Sequence, residues 1–323
     1  MVQVSRPDAL PDQLEIQMEA FPAASDSSQT IIEIPFRLSG SLIMVQAQVN
    51  EQSGSFIFDS GAPDLKLNTR YFQGGSAVAN TAAGGSTGRV ENLRLQSIRR
   101  FVWPGRVLEE VKVEGFDLSH LEQVRQEKIL GLIGFEVFKD YEIGLDYKES
   151  KLILYPLDAQ GRRLAQRAED FPADYWIDFR LEGHIPVFPV QIGGQTLQMG
   201  LDTGAEKNLL HIQLRSKILS HFQIQKRGVL NGNGQAAVEV FTGEIDKLEI
   251  AGHVLYRMRG ALTNLDALNE AFGTKLDGLL GFEFLSRQFT TINYRKRRMY
   301  IWSEISRLKH SKLQYLASKS SKL

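Results

Sequence analysis

The chain has 323 residues, 42% of them hydrophobic and 24% charged, a composition typical of a globular protein with ample material for a core. Lys plus Arg and Asp plus Glu both number 38, so the formal net charge is zero and the balance points to neither nucleic acid nor an anionic membrane as partner. Cysteine is absent, which excludes disulfide scaffolds, Cys-ligated metal and thiol nucleophiles.

Residues 1–30 lack the basic-then-apolar pattern of a signal peptide, and no apolar run of about eighteen residues occurs anywhere. Export is left open, because a chain trimmed after a signal would read the same. Within this leader Leu14, Ile16, Met18 and Ala20 alternate and predict one added strand. Ile32, Ile34, Phe36 and Leu38 alternate next and read as a strand. The apolar run Phe56-Ile57-Phe58 then carries an aspartate into a turn, Asp59-Ser60-Gly61-Ala62. Gly84-Gly85-Ser86-Thr87-Gly88 marks a glycine-rich hairpin. Leu118 and Leu121, three apart, predict a short helix ahead of Gly131-Leu132-Ile133-Gly134-Phe135-Glu136. Residues 158–175 are polar, carry no strand signal and read as a linker.

The series then returns. Phe36-Arg37-Leu38-Ser39-Gly40 recurs as Phe179-Arg180-Leu181-Glu182-Gly183, and Asp59-Ser60-Gly61-Ala62 as Asp202-Thr203-Gly204-Ala205, both at an offset of 143. The glycine block recurs as Gly278-Leu279-Leu280-Gly281-Phe282-Glu283 at an offset of 147, which holds on to Tyr147 and Tyr294. Four residues gained between the blocks match a loop insertion. Ile177, Phe179 and Leu181 repeat the alternation, Asn231-Gly232-Asn233-Gly234 is a hairpin signal, and Leu265 and Leu268 repeat the helix spacing. Arg295-Lys296-Arg297-Arg298 reads as a charged hairpin turn matching Lys148-Glu149-Ser150-Lys151. The repeat predicts two homologous, mostly β lobes, 31–157 and 176–303, followed by a basic, Ser-rich tail at 304–323. The terminal Ser321-Lys322-Leu323 formally matches a peroxisomal address but is short enough to arise by chance.

The two aspartate turns are chemically matched. Each follows apolar residues, and each continues with a small hydroxyl residue and a glycine, which turns the backbone sharply and frees an N–H for a carboxylate oxygen. Related by a pseudo-two-fold axis, the turns would set Asp59 beside Asp202. Two carboxylates that close cannot both ionise, so one keeps a proton. The ionised member can then deprotonate a water while the protonated one polarises a carbonyl.

These residues resemble the aspartyl protease pattern of D-[ST]-G-A followed by two apolar residues and glycine. Alanine after each glycine is closer to retropepsins than to pepsins, and the whole is similar to bacterial proteins with two retropepsin-like repeats fused in one chain. The resemblance covers about 31–303. It implies an all-β, bilobal acid-protease fold of two β-barrel lobes with short helices, acting on peptide or protein substrates as a monomer, without cofactor or metal, and with acid-leaning activity. It implies Asp59 and Asp202 as the catalytic pair, with Ser60, Gly61, Ala62, Thr203, Gly204 and Ala205 locking and supporting the turns. Ile133, Gly134, Leu280 and Gly281 would form the apolar turns behind the pair. Gly84, Gly85, Ser86 and Gly88, and Asn231, Gly232 and Gly234, would supply one flap per lobe, although 80–92 holds no tyrosine of the pepsin kind. Glu206 stands where retropepsins often place an aspartate, whereas the first lobe has Pro63 there, so the halves are not equivalent.

Two rival readings bear on the same residues. A non-catalytic peptide-binding protein could be built on this fold. Ser86 also satisfies G-x-S-x-G, but that nucleophile turn needs a strand before and a helix after, and its flanks read as a hairpin. The six histidines, among them His184, show no metal-ligand spacing and read as surface or packing residues.

Overall fold

The computed structural model describes residues 30–77, 83–85, 88–90, 93–167, 170–214, 216–231 and 237–310. The leader strand predicted within 1–30 and the tail beyond 310 lie outside the described residues. The tail begins with a helix at 304–310. No helix among the described residues is long and apolar enough to cross a membrane.

In the first lobe, six strands close into a barrel in the order Leu42–Val49, Gln52–Phe58, Gly131–Ile133, Lys66–Asn68, Arg106–Phe116 and Arg94–Trp103. Pairing of Gln48 with Val102 and Val49 with Phe101 seals the ring. The second lobe repeats this order with Ile185–Ile192, Gln195–Leu201, Gly278–Leu280, Asn208–His211, His253–Thr263 and Ala237–Ile250. It closes through Val190 with Ile250 and Gln191 with Glu249. Alternating side chains of the first hairpins fill the barrels: Ile43, Val45, Ala47 and Val49 are buried in one lobe, Phe188, Val190 and Ile192 in the other. Gly40 and Gly183, the matched glycines of the repeat, turn these hairpins with φ of +63° and +60°. Only glycine takes that backbone conformation without strain.

A third sheet joins the lobes. Its order is Ile32–Pro35, Lys151–Pro156, Tyr141–Asp146, Phe289–Asn293, Arg298–Trp302 and Tyr175–Asp178, three strands from each half. Across its middle Glu142–Leu145 pairs antiparallel with Thr290–Asn293. The segments read as single strands, 32–38 and 177–181, are each divided between two sheets. The chain leaves the inter-lobe sheet at Phe36 and Phe179, whose N–H groups reach the carbonyls of Ser150 and Arg297 at 2.9 and 3.0 Å, and then enters the barrel. Alternation cannot reveal such a switch, because the pattern of buried side chains continues through the bend.

The connection between the lobes is tied down rather than loose. Arg163 lies over the Tyr155 ring at 3.6 Å, and its Nε donates to buried Glu142 at 3.1 Å. Thr291 and Asn293 donate to the same carboxylate at 2.5 and 2.8 Å. A charge buried this deeply is tolerated because its lone pairs are filled.

The predicted helices form as Ser119–Arg125 and Asp266–Phe272. Three four-residue helices escaped the sequence reading: Ser216–Leu219, and Phe135–Phe138 and Phe282–Leu285, the latter two each directly after a glycine block. Residues 294–297 and 147–150 form the paired charged turns of the inter-lobe sheet, with Ser150 and Arg297 at φ of +53° and +52°.

Candidate active site

Each aspartate sits one residue beyond the end of a barrel strand, and each strand is locked in parallel to the glycine block of its own lobe. Phe58 pairs with Ile133, and Leu201 with Leu280. The register carries through to the aspartates: the Asp59 N–H donates to the Ile133 carbonyl and the Asp202 N–H to Leu280, both at 3.0 Å. Gly134 and Gly281 follow at once. A Cβ on Gly134 would lie 2.6 Å from the Ala62 carbonyl oxygen, and one on Gly281 would lie 2.9 Å from the Ala205 Cβ. The matched carbonyls of Ala62 and Ala205 accept the N–H groups of Phe135 and Phe282 at 2.9 Å. The short helices therefore start where the aspartate turns end.

The two turns interlock. Ser60 N–H donates to Thr203 Oγ1 and Thr203 N–H to Ser60 Oγ, both at 2.9 Å, and Thr203 Oγ1 also donates to the Phe58 carbonyl at 3.0 Å. Both hydroxyl residues are 1% exposed. Thr203→Val, similar in shape, would leave a buried N–H and a buried carbonyl unpaired. It should lower stability by about 2–3 kcal/mol in denaturant titration, with Thr203→Ser close to wild type.

The interlock brings the carboxyl groups together at the junction of the lobes. Gly61 N–H lies 2.9 Å from Asp59 Oδ1 and 3.1 Å from Asp202 Oδ1, so one donor serves both side chains. Gly204 N–H donates to Asp202 Oδ1 at 2.7 Å. Each glycine also abuts the opposite aspartate: a Cβ on Gly61 would lie 2.6 Å from Asp202 Cγ, and one on Gly204 2.5 Å from Asp59 Oδ1.

Burial, followed by the charge of Asp202 and the hydrogen bond to it, pushes the Asp59 carboxyl well above the usual carboxylate range. Burial raises Asp202 as well, but Gly204 N–H, the hydrogen bond from Asp59, Gly61 N–H and nearby His184 all favour its ionised form. The pair therefore titrates as a unit around one shared proton. Both residues keep partial solvent exposure, so the carboxyl groups are desolvated yet reachable.

Under the aspartates lies an aromatic layer that the sequence reading did not assign. Phe135 of the first lobe meets Tyr294 of the second edge to face at 4.9 Å, and Tyr147 meets Phe282 in the same way at 5.4 Å. These four residues are the two pairs related by the offset of 147, so the repeat packs against itself crosswise. The signal was present in that offset, but its meaning depends on how the lobes dock. Arg125 and Glu206 form a further inter-lobe ion pair, joining helix Ser119–Arg125 to the second aspartate turn. Pro63 cannot reproduce this contact on the other side.

Of the flap candidates, Gly84, Gly85 and Gly88 lie on a small antiparallel hairpin, Ala83–Gly85 with Gly88–Val90, that packs against helix Asp266–Phe272 of the other lobe. The strand Gly88–Val90 stands where a nucleophile elbow would require a helix. Ser86 itself lies outside the described residues. Asn231 ends the strand Phe222–Asn231, and Gly232 and Gly234 lie outside the described residues. His184, read as one of six surface or packing histidines, is buried with its ring against the first aspartate turn.

Residues 188–284, from the first hairpin of the second lobe through the helix after Gly281, match the aspartyl protease family model. Over that segment the chain is similar to aspartyl proteases. The matched segment contains Asp202, Thr203, Gly204 and Gly281. The first lobe repeats the same closed six-stranded ring in the same strand order, giving the two-lobed architecture of an aspartyl protease with both halves in one chain. No curated protein matches the chain.

Proposed function

We propose that this protein is an aspartic endopeptidase in which Asp59 and Asp202 hold and activate one water for attack on a peptide bond. The observation that carries the reading is the Gly61 N–H shared between two carboxyl groups whose turns are interlocked through Ser60 and Thr203. Asp202, the better stabilised carboxylate, removes a proton from the water as its oxygen bonds to the carbonyl carbon. Protonated Asp59 donates to the carbonyl oxygen, giving a neutral tetrahedral diol. Asp202 then returns its proton to the leaving amine while Asp59 recovers its own, the C–N bond breaks, and the pair is restored. Both half-sites come from one chain, so the active unit is a monomer. An extended peptide would lie between the lobes by strand-like hydrogen bonding, under the paired strands Ala83–Gly85 and Gly88–Val90.

The test is cleavage of an unstructured peptide mixture between about pH 3 and 7 by wild type, Asp59→Asn and Asp202→Asn, with fragments read by mass spectrometry. Wild type should cleave, with an acid-leaning profile, and both variants should not. Cleavage that survives both substitutions sinks the assignment. Peptide binding without cleavage by wild type would make the protein a binding module on this fold.

A further inference from the structure

The two aspartate turns differ in a further contact. His184 occupies the tip of the second lobe's first hairpin, between strands Arg180–Glu182 and Ile185–Ile192, and its counterpart in the repeat is Ser41. From there it reaches the other lobe, with Nε2 2.8 Å from the carbonyl oxygen of Gly61. The residue is 8% exposed. Its ring lies between Phe135 of the first lobe, at 6.1 Å, and Phe272 at the end of helix Asp266–Phe272, at 5.4 Å. Gly61 is thus held on both sides, its N–H shared by the two carboxyl groups and its carbonyl bound by the imidazole.

A carbonyl oxygen only accepts, so Nε2 carries a proton in either state of the ring, and the nitrogen that titrates is Nδ1. The tether therefore survives protonation, whereas the charge does not stay constant. The charged groups facing the ring are Asp202, Asp64 and Lys66. Lys66 is already engaged by Asp64 and Glu114, each at 2.6 Å, which leaves Asp202 as the group that responds to the imidazolium. Burial among the aromatic rings holds the imidazole below its ordinary titration range. The cation consequently forms in acid, where the pair would otherwise take up its second proton.

We propose that His184 is a positioning residue for the aspartate pair: it fixes the Gly61 turn from the opposite lobe and, once protonated, its charge keeps Asp202 ionised further into acid. This rests on the peptidase reading above, and the first measurement is independent of cleavage.

Imidazole titration of the full-length chain by NMR, in wild type and Asp202→Asn, reads the coupling directly. The His184 midpoint should fall by about half a pH unit in the variant, because the attracting carboxylate is gone. Equal midpoints overturn the electrostatic half of the proposal whether or not the protein cleaves peptides. The second measurement is the pH profile of kcat. His184→Gln retains an N–H donor without the charge, so kcat at the optimum should stay within about threefold while the acid limb moves up by about half a unit. His184→Leu removes the donor and should lower kcat about tenfold with KM little changed. An acid limb in His184→Gln that superposes on wild type, or a wild-type kcat in His184→Leu, overturns the proposal. Should His184→Leu melt before assay, His184→Gln and the titration still decide.

Discussion

Asp59→Asn should be inactive and, above mildly acid pH, more stable than the wild type. Loss of a positioned acid–base partner lowers kcat by about 10³-fold, since asparagine keeps the shape and accepts the Gly61 N–H but cannot pass a proton to the substrate. The stability gain has a separate cause. In the folded protein, burial and then the Asp202 charge raise the Asp59 carboxyl well above the value it has in the unfolded chain. A group with a raised folded value contributes its full stability below the unfolded value, near about pH 4, and loses it as pH climbs through the folded value. Across that window the wild type gives up about 1.4 kcal/mol per pH unit through Asp59, a loss the variant does not share. Thermal melts at half-unit steps from about pH 4 to 8 should show the two curves together in acid and diverging toward neutrality. A difference that stays constant with pH would mean that Asp59 is not the proton-holding member of the pair.

The parts of this architecture that were legible in the sequence are those written twice. Asp59 with Asp202, and the glycine blocks at Gly131 and Gly278, recur in frame because a parallel strand pair must set each aspartate beside its own glycine turn, and both lobes need that local arrangement. Features arising from docking of one lobe on the other left no local trace. Nothing around Phe135 announces that its ring will meet Tyr294, and nothing around His184 points to a carbonyl 123 positions away. The helices Phe135–Phe138 and Phe282–Leu285 were missed for a different reason: four residues are too few to separate a helical period from an alternating one. The division of 32–38 between two sheets was hidden because Ile34 and Phe36 are both buried, so burial follows the same rhythm on either side of the bend.

Glycine substitutions should separate chemistry from folding within this one site. In Gly204→Ala the new methyl carbon would lie 2.5 Å from Asp59 Oδ1, 2.7 Å from its Cγ and 2.9 Å from its Oδ2, so all three nearest atoms belong to that one carboxyl group. A side-chain carboxyl can swing aside, so the barrel tolerates the change, but the carboxyl then leaves the Gly61 N–H and its partner. Misplacement by about 1 Å is enough to cost roughly 100-fold in kcat. The melting transition should move little. Gly134→Ala meets a different obstacle, because all three nearest atoms are backbone of residues 62–64, including the Ala62 carbonyl oxygen at 2.6 Å and the Asp64 N at 2.7 Å. Backbone held by the Phe135 N–H cannot yield without displacing the turn, so this variant should lose about 3 kcal/mol or fail to accumulate folded. Measured side by side, kcat and denaturant midpoint should fall in opposite proportions: activity first for Gly204→Ala, stability first for Gly134→Ala. Equal loss of both in Gly204→Ala would mean that the opposing carboxyl is wedged as firmly as backbone, and that the pair is held by packing from above as well as by the Gly61 and Gly204 amides below.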